Sequence, residues 1–139
     1  LHVDNGEYVW QAPAGDDVCL GRPGCYPGYS AAISVTSDYV LAGSNEGWLR
    51  AFDIDNGDVL WEFDTTRSVT AVDGRLAQGG SIGGGQAPLI VGDRLIVNSG
   101  YAFAGKMPGN ALLVLKLPVI DALVSAEFGA QVLVESAAK

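Results

Sequence analysis

The spacing of apolar and polar residues in the segment 31–65 predicts short strands joined by tight turns. Within 48–53 the residues alternate, so that Leu49 and Ala51 share one face, as in a half-buried strand. Turn sequences rich in asparagine and glycine separate the apolar runs, and these residues supply the positive φ angles of tight hairpins. We therefore expect a four-stranded antiparallel unit with strands at 33–36, 39–43, 48–53 and 59–64.

The same pattern recurs along the chain. Residues 1–10 align with residues 52–61, and four positions coincide, as Asp4/Asp55, Asn5/Asn56, Gly6/Gly57 and Trp10/Trp61. A second echo relates 32–44 to 87–99, and it predicts a second unit with strands near 89–91, 94–98 and 111–115. A period of about 50 residues built from strands is typical of the four-stranded blade of a β-propeller.

The fold class we expect is all-β: a partial β-propeller of about two four-stranded blades plus part of a third. The tail after the second blade does not follow the repeat, and Val119, Leu123, Ala126 and Ala130 would share one face of a short helix there. The predicted segments are the end of a preceding blade (1–13), a cysteine-containing loop (14–30), a complete blade (31–65), a glycine-rich inter-blade loop (66–86), a second blade (87–115) and a tail (116–139).

At about 50 residues per blade, the 139 residues suffice for fewer than three blades, which suggests that they are part of a larger domain. Closed propellers usually need about four to eight blades, and two blades alone leave apolar outer faces uncovered. The chain begins with leucine and shows no signal peptide. We therefore expect the remaining propeller blades, or an oligomer partner, to complete the fold.

Composition and charge remove several classes of function. The net charge of −8 disfavours nucleic acid and anionic membrane surfaces as partners, and no apolar run is long enough to span a membrane. One histidine, His2, and two cysteines are too few for zinc sites built from these residues, and a Ser-His-Asp triad would have to use the second residue of the chain. Histidine- and cysteine-based zinc enzymes and triad hydrolases are therefore poor candidates.

The two cysteines, Cys19 and Cys25, enclose a loop that contains Gly21, Pro23 and Gly24. Five intervening residues permit the Cα separation of about 5.5 Å that a disulfide needs. Two free thiols in a reducing compartment are the alternative. We favour the bridge, which would place the protein in the periplasm or outside the cell.

The segment 51–61 fits a motif of known propellers. Ala51, Asp53, Gly57 and Trp61 match the four fixed positions of the tryptophan-docking motif, Ala-x-Asp-x-x-x-Gly-x-x-x-Trp. An earlier, truncated copy matches the glycine and the tryptophan, the latter at Trp10, but has a histidine where aspartate is expected. With the Gly-Gly-Ser loop and 98–113, the chain resembles the C-terminal blades of quinoprotein alcohol dehydrogenases that use pyrroloquinoline quinone (PQQ), within the polyvinyl alcohol dehydrogenase branch.

The resemblance implies structural roles for the motif. In the family the motif tryptophan packs between neighbouring blades and donates to backbone, with the small alanine admitting it. We expect Trp61 to be largely buried beside Ala51, near a neighbouring blade or residues 1–13. Non-catalytic scaffold propellers also carry the motif, so it indicates the fold more strongly than the activity.

The resemblance further implies PQQ and Ca²⁺ as cofactors of the parent protein and a small alcohol or a polymer as its substrate. Arg67 and Arg75, beside the glycine run with Gly79 and Gly80, are the candidates to approach the cofactor, and solvated loop arginines are the alternative. The glycine run lacks the Lys-Ser/Thr of a phosphate-binding loop. We assign no metal ligands, because the acidic residues near Asp53 fit turn chemistry.

Two functions follow as expectations. The first is a fragment of a PQQ-dependent alcohol dehydrogenase whose catalytic base and Ca²⁺ ligands lie in other blades, so that this chain alone is inactive. The alternative is a non-catalytic PQQ-like propeller that serves as a scaffold or binding module in the cell envelope. The family's adjacent cysteine pair, which stacks on the quinone, has no counterpart here.

Overall fold

The computed structural model describes residues 1–14, 18–117 and 133–136, and within them all regular structure except one 3-10 turn is β-strand. The 3-10 turn spans Phe103–Gly105. The all-β class is therefore confirmed for the described part of the chain. The strands are β1 (Ser34–Val35), β2 (Tyr39–Gly43), β3 (Trp48–Asp53), β4 (Val59–Asp64), β5 (Ser68–Thr70), β6 (Leu76–Gln78), β7 (Leu89–Val91), β8 (Arg94–Ser99), β9 (Ala111–Lys116) and β10 (Leu133–Ser136).

The first sheet, which we call blade A, has the strand order β1-β2-β3-β4, and all its pairs are antiparallel. Its four strands fall where the sequence predicts them. Positive φ angles at Gly47 and Gly57, of +88° and +78°, allow the chain to reverse between strands. A register irregularity next to Ala51 leaves that residue paired with Trp61 on β4.

The second sheet, blade B, has the order β10-β9-β8-β7 and is also antiparallel. Strands β7, β8 and β9 match the prediction. The fourth, β10, pairs with β9 through Leu133 opposite Val114, and the sequence did not predict it. Four residues are too few for alternation to identify a strand on its own. The helix predicted over 119–130 lies outside the described residues.

A two-stranded hairpin, β5–β6, interrupts the stretch 66–86 that the sequence predicted to be a loop. Its strands are three residues long, below the length at which periodicity is informative. The hairpin forms because it buries Ala71 and Ala77 in a small cluster with Ala111 and Leu113 of blade B. The predicted inter-blade loop is therefore partly ordered by contact with its neighbour.

The main hydrophobic core lies between the two blades. Leu41 and Leu49 of blade A meet Leu95 and Leu115 of blade B, and Ile82 from the connecting segment joins them. Each leucine is at most a few per cent exposed. Burying a side chain of this size stabilises the fold by about 1.5–3 kcal/mol, so the blades are held together mainly by this face-to-face packing.

Residues 1–13 contain no strand, contrary to the expectation that they end a preceding blade as its last strand. A strand needs a neighbouring strand for its backbone groups, and here the segment lies against a turn of blade A instead. Trp10 packs beside Phe52, with ring centroids 6.1 Å apart, and its indole Nε1 donates to the backbone carbonyl of Ile54 at 2.8 Å. The side chain thus covers the face of blade A that points away from blade B.

Candidate functional site

Three connections meet at one edge of the two blades: the β2–β3 turn (44–47), the β4–β7 connection (65–88) and the β8–β9 connection (100–110). We call this the loop edge. Antiparallel strands bring alternate connections to the same end of a sheet, so the topology explains why these meet. The edge contains most of the buried polar residues of the described chain: Ser44, Asn45, Glu46, Thr65, Ser81 and Ser99.

Hydroxyl groups connect the blades at the loop edge. Thr65 Oγ1 and Ser99 Oγ lie 2.7 Å apart, and Ser99 Oγ accepts from the backbone N–H of Gly80 at 2.9 Å. Ser81 Oγ accepts from the Met107 N–H at 3.0 Å and donates to the carbonyl of Asn45 at 2.5 Å. These bonds satisfy buried backbone groups of three segments and fix their relative positions.

Gly79 and Gly80, predicted to approach the cofactor, are buried against the protein's own backbone. A Cβ on Gly79 would overlap the carbonyl oxygen of Thr65, and one on Gly80 would overlap the carbonyls of Met107 and Pro108. The absence of a side chain at these positions is explained by close packing within the chain. The two glycines do not form an open cradle for a bound group.

Arg67 and Arg75 lie at opposite ends of the β5–β6 hairpin. The strands between them span three residues, which is about 10 Å, so the structure does not bring the two guanidinium groups together. Arg75 is engaged with Asp73 at 2.5 Å, an interaction that raises the pKa of Arg75 and lowers that of Asp73. Arg67 is 75% exposed and has a looser contact with Asp64 at 3.5 Å, so it is the more available cation.

A buried ion pair beneath the loop edge was not found from the sequence. Glu46 is fully buried, and its Oε1 accepts from Nη1 of Arg50 at 3.2 Å, four residues further along the chain. Arg50 also contacts Glu62 and the Tyr29 hydroxyl, each at 3.2 Å. Burial alone would lower the pKa of Arg50, but Tyr29, Glu46 and Glu62 outweigh it and the pKa is raised. Arg50 is a permanently charged structural group.

The cysteine loop lies across the loop edge. Cys19 and Cys25 form a disulfide with a Cα separation of 5.5 Å, as expected for this loop. Arg22 donates to Thr66 Oγ1 at 3.2 Å, and a Cβ on Gly24 would come within 2.8 Å of the Gly105 carbonyl. After the disulfide, the backbone N–H of Gly28 donates to Oε2 of Glu46 at 3.2 Å. The loop therefore contacts the connections that belong to both blades.

The docking-motif residues lie on β3, on β4 and in the turn that joins these strands at the opposite edge. Ala51 is buried and Trp61, its cross-strand partner, is partly buried against the main core rather than largely buried. Trp61 also stacks on Phe63 at 6.1 Å, and it lines a small void of about 20 Å³ with Leu95 of blade B. The contact with the neighbouring blade is therefore present.

Asp53 closes the β3–β4 turn. Its Oδ1 accepts from the backbone N–H groups of Asp55 and Asn56 at 2.8 and 3.2 Å, which is turn chemistry. In the part of the chain that the structure describes, no group of three histidine, cysteine, aspartate or glutamate residues could hold a metal ion. Across the same residues, no helix is long and apolar enough to cross a membrane.

Comparison with known proteins identifies relatives of the chain, although no family model matches it. It is 38% identical over 113 residues to a polyvinylalcohol dehydrogenase of Pseudomonas sp., and 39% identical over 105 residues to one of Sphingopyxis sp. (strain 113P3). These matches cover 80% and 73% of the chain but only 17% and 16% of the relatives. A third relative is the 1-butanol dehydrogenase (quinone) of Thauera butanivorans, 36% identical over 53 residues, which are 38% of the chain and 8% of that enzyme.

The comparisons agree with what the docking motif indicates. Relatives named as dehydrogenases of alcohols, one of them quinone-dependent, match a chain built from two four-stranded antiparallel sheets, which is consistent with a partial propeller. The chain is therefore homologous to a segment of the quinoprotein alcohol dehydrogenases, and its relatives in that family include polyvinyl alcohol dehydrogenases.

Proposed function

We propose that the chain forms two blades of a PQQ-dependent dehydrogenase that oxidises alcohols, including hydroxylated polymers. The observation that carries the proposal is the identity of 38–39% to polyvinylalcohol dehydrogenases over about three quarters of the chain. The packing of the two blades and the seating of Trp10 on blade A support it, because both are contacts that a larger propeller repeats.

The fit of PQQ to the described residues is limited. The cofactor would supply a quinone that accepts the electrons of alcohol oxidation, and its carboxylates need cationic or amide donors. Arg67 fits this requirement, since its side chain is 75% exposed at the base of the β5–β6 hairpin. Gly79 and Gly80 do not fit, and Arg75 is already paired. We propose that other parts of the whole protein provide the remaining donors for the cofactor, the catalytic base and the ligands of Ca²⁺.

The second candidate function is a non-catalytic propeller scaffold in the cell envelope. One observation favours it: Gly79 and Gly80 pack against backbone of their own chain, and Arg75 is paired with Asp73. For either function we propose a location in the periplasm or outside the cell, because disulfides such as Cys19–Cys25 persist in oxidising compartments.

A segment exchange distinguishes the two functions. The homologous segment of the Sphingopyxis polyvinylalcohol dehydrogenase is replaced by this chain, and oxidation of alcohols is measured with PQQ, Ca²⁺ and a dye acceptor. Retained turnover, reduced by Arg67→Gln but not by the matched change Arg75→Gln, supports the dehydrogenase. A folded exchange protein without turnover supports the scaffold.

The isolated chain is the reference for that exchange. We expect no turnover from it above that of free PQQ, because two blades do not enclose a central site. Turnover by the isolated chain would mean that it assembles a working site by itself.

A further inference from the structure

The two copies of the docking sequence, residues 1–10 and 52–61, form the same turn. In the first copy, the N–H of His2 donates to the carbonyl of Glu7 and the N–H of Gly6 donates to the carbonyl of His2, both at 2.8 Å. The Oδ1 of Asn5 accepts from the N–H of Glu7 at 3.0 Å. Gly6 completes the turn with a φ of +73°. The first copy thus forms a closed turn around its Asn-Gly pair, although residues 1–13 contain no strand.

The turn of the second copy has the equivalent bond at each of these positions. The N–H of Asp53 donates to the carbonyl of Asp58 at 2.8 Å, and the N–H of Gly57 donates to the carbonyl of Asp53 at 3.0 Å. The Oδ1 of Asn56 accepts from the N–H of Asp58 at 2.8 Å. Both asparagines are exposed, and each Asn-Gly pair lies between two acidic residues. The two pairs therefore have closely matched sequence and backbone surroundings.

The two turns differ in what covers the glycine. The indole ring of Trp10 lies on Gly57, where a Cβ would come within 2.6 Å of the ring. The ring is also fixed at its other end, because its Nε1 donates to the carbonyl of Ile54 in the same turn at 2.8 Å. At Gly6, no atom of the described chain lies within 4 Å of a Cβ built there. One turn is therefore held under an aromatic ring, and its copy is open.

Asparagine is among the thermolabile residues, and a following glycine makes it more so, because glycine has no side chain to hinder attack. The backbone nitrogen of the glycine attacks Cγ of the asparagine, and the new C–N bond closes a succinimide ring. The bond from Cγ to Nδ2 breaks, and this nitrogen leaves as ammonia with the proton of the glycine N–H. Water then opens the ring at either carbonyl and gives aspartate or isoaspartate. The sequence of steps consumes only water and needs no oxidant or reductant.

The ring of Trp10 opposes the first of these steps. The glycine N–H must leave its carbonyl acceptor, and the Asn-Gly peptide must rotate toward the asparagine side chain, which moves the glycine Cα. At Gly57 there is no spare volume for this movement, so Trp10 must first leave the turn in a local opening. At Gly6 only exposed hydrogen bonds must break, including one from the Asn5 amide to Glu7 at 2.9 Å, and water competes for such groups.

We propose that Asn56 is a latent deamidation site that the ring of Trp10 protects, and that Asn5 is the asparagine deamidated in the 139-residue chain. The protecting contact lies within this chain, so it does not depend on other blades. Isoaspartate at residue 56 would lengthen the backbone between the N–H groups of residues 56 and 57, both of which donate to Asp53. The ring therefore preserves the turn on which it rests. A ring that another part of a longer protein placed on Gly6 would protect Asn5 in the same way.

Peptide mapping of the 139-residue chain after incubation in mildly alkaline buffer measures both rates in one molecule. The products are recognised by the mass gained when an amide NH₂ becomes OH, and chromatography separates the aspartate and isoaspartate peptides. In the folded chain we expect Asn56 to react at least about tenfold more slowly than Asn5, which corresponds to an opening free energy of about 1.4 kcal/mol. In urea the two rates should become similar, because the flanking residues are matched.

Trp10→Ala should raise the rate at Asn56 about tenfold, toward that of Asn5. The matched control is Tyr8→Ala, which removes an aromatic of the same segment that is 68% exposed and should leave the rate unchanged. Trp10→Phe keeps a ring but lacks the N–H donor to Ile54, so its rate should lie between the two. Circular dichroism verifies that each variant folds. If Trp10→Ala does not fold, the phenylalanine variant and the comparison of folded with urea-unfolded chain decide.

Three results would overturn the proposal. Equal rates at Asn5 and Asn56 in the folded chain would show that the ring gives no protection. An unchanged rate at Asn56 in folded Trp10→Ala would assign the protection to Asp53, whose Oδ1 accepts from the N–H of Asn56 at 3.2 Å. Equal acceleration by Tyr8→Ala and Trp10→Ala would assign it to the N-terminal segment as a whole.

Discussion

The indole ring of Trp10 packs directly against Gly57: a Cβ at residue 57 would lie 2.6 Å from the ring. The two residues come from the two copies of the docking sequence, and the ring of the first copy rests on the turn of the second. Glycine is needed at this turn for two separate reasons, its φ of +78° and the approach of the ring.

Gly57→Ala should therefore destabilise the chain more than its backbone angle alone requires. The matched control is Gly74→Ala, whose φ is +81° but whose Cβ would meet nothing within 4 Å. We expect about 1–2 kcal/mol for the control, from the backbone term, and about 1–3 kcal/mol more for Gly57→Ala, from overpacking against Trp10. Urea denaturation measures the loss in the free energy of unfolding for both variants. Equal losses would show that the approach of Trp10 does not require a glycine at residue 57.

Trp61→Ala should cost about 2–4 kcal/mol in the free energy of unfolding. Truncation of a core aromatic typically costs about 3–5 kcal/mol, and partial exposure of Trp61 lowers the figure. The control is Tyr8→Ala, an exposed aromatic for which we expect a change within about 0.5 kcal/mol. Similar values for the two variants in chemical denaturation would show that Trp61 does not support the core between the blades.

Glu46→Gln should cost about 3 kcal/mol, because it removes one partner from a buried ion pair. Glu62→Gln is the matched control on the same arginine, Arg50. The Glu62 side chain is 49% exposed, so its pair is screened by water and should contribute less than about 1 kcal/mol. If the two variants lose stability equally, Glu46 is not the dominant partner of Arg50.

Reduction of the Cys19–Cys25 disulfide should lower stability by about 2 kcal/mol, the chain-entropy value for a short loop. Thiol alkylation followed by mass determination, with and without reductant, establishes the bridge. Thermal unfolding under the same two conditions measures its contribution. Two alkylated thiols in protein that was never reduced would remove both the bridge and the proposed location.

Stability should decline in alkaline solution through Tyr39. Burial, with a smaller contribution from Asp38, raises the pKa of its hydroxyl above the ordinary value of 10.0. The folded state therefore binds this proton more tightly than the unfolded state. The resulting stabilisation is complete below pH 10 and is lost as pH rises from there through the raised pKa. Urea denaturation across this range should show a steeper loss than in Tyr39→Phe, and parallel curves would argue against the effect.

The repeat allowed the strands of blade A to be predicted closely, since Asn56-Gly57 and the alternation around Leu49 and Ala51 are local signals. The hairpin β5–β6 and the strand β10 were missed because their stability depends on partners distant in sequence, such as Leu113 for Ala77 and Val114 for Leu133. Local periodicity carries no information about such partners.

The candidate site was harder to predict for the same reason. A glycine run looks alike whether it leaves room for a ligand or for neighbouring backbone, and at Gly79 and Gly80 the neighbour is backbone. The Glu46–Arg50 pair could have been suspected from its position across a tight turn, but its hydrogen bonds with Gly28 and Tyr29 of the cysteine loop could not.

The contact between Trp10 and Gly57 joins two different surfaces: an aromatic ring from the first copy of the docking sequence and a turn from the second. The same contact can form within one chain or between two chains, because the ring and the turn are identical in every molecule. When two unfolded chains refold at high concentration, the indole of one can occupy the glycine turn of the other, giving exchanged dimers. Refolding yield should therefore depend on protein concentration, and dilution should favour the arrangement in which each chain seats its own tryptophan.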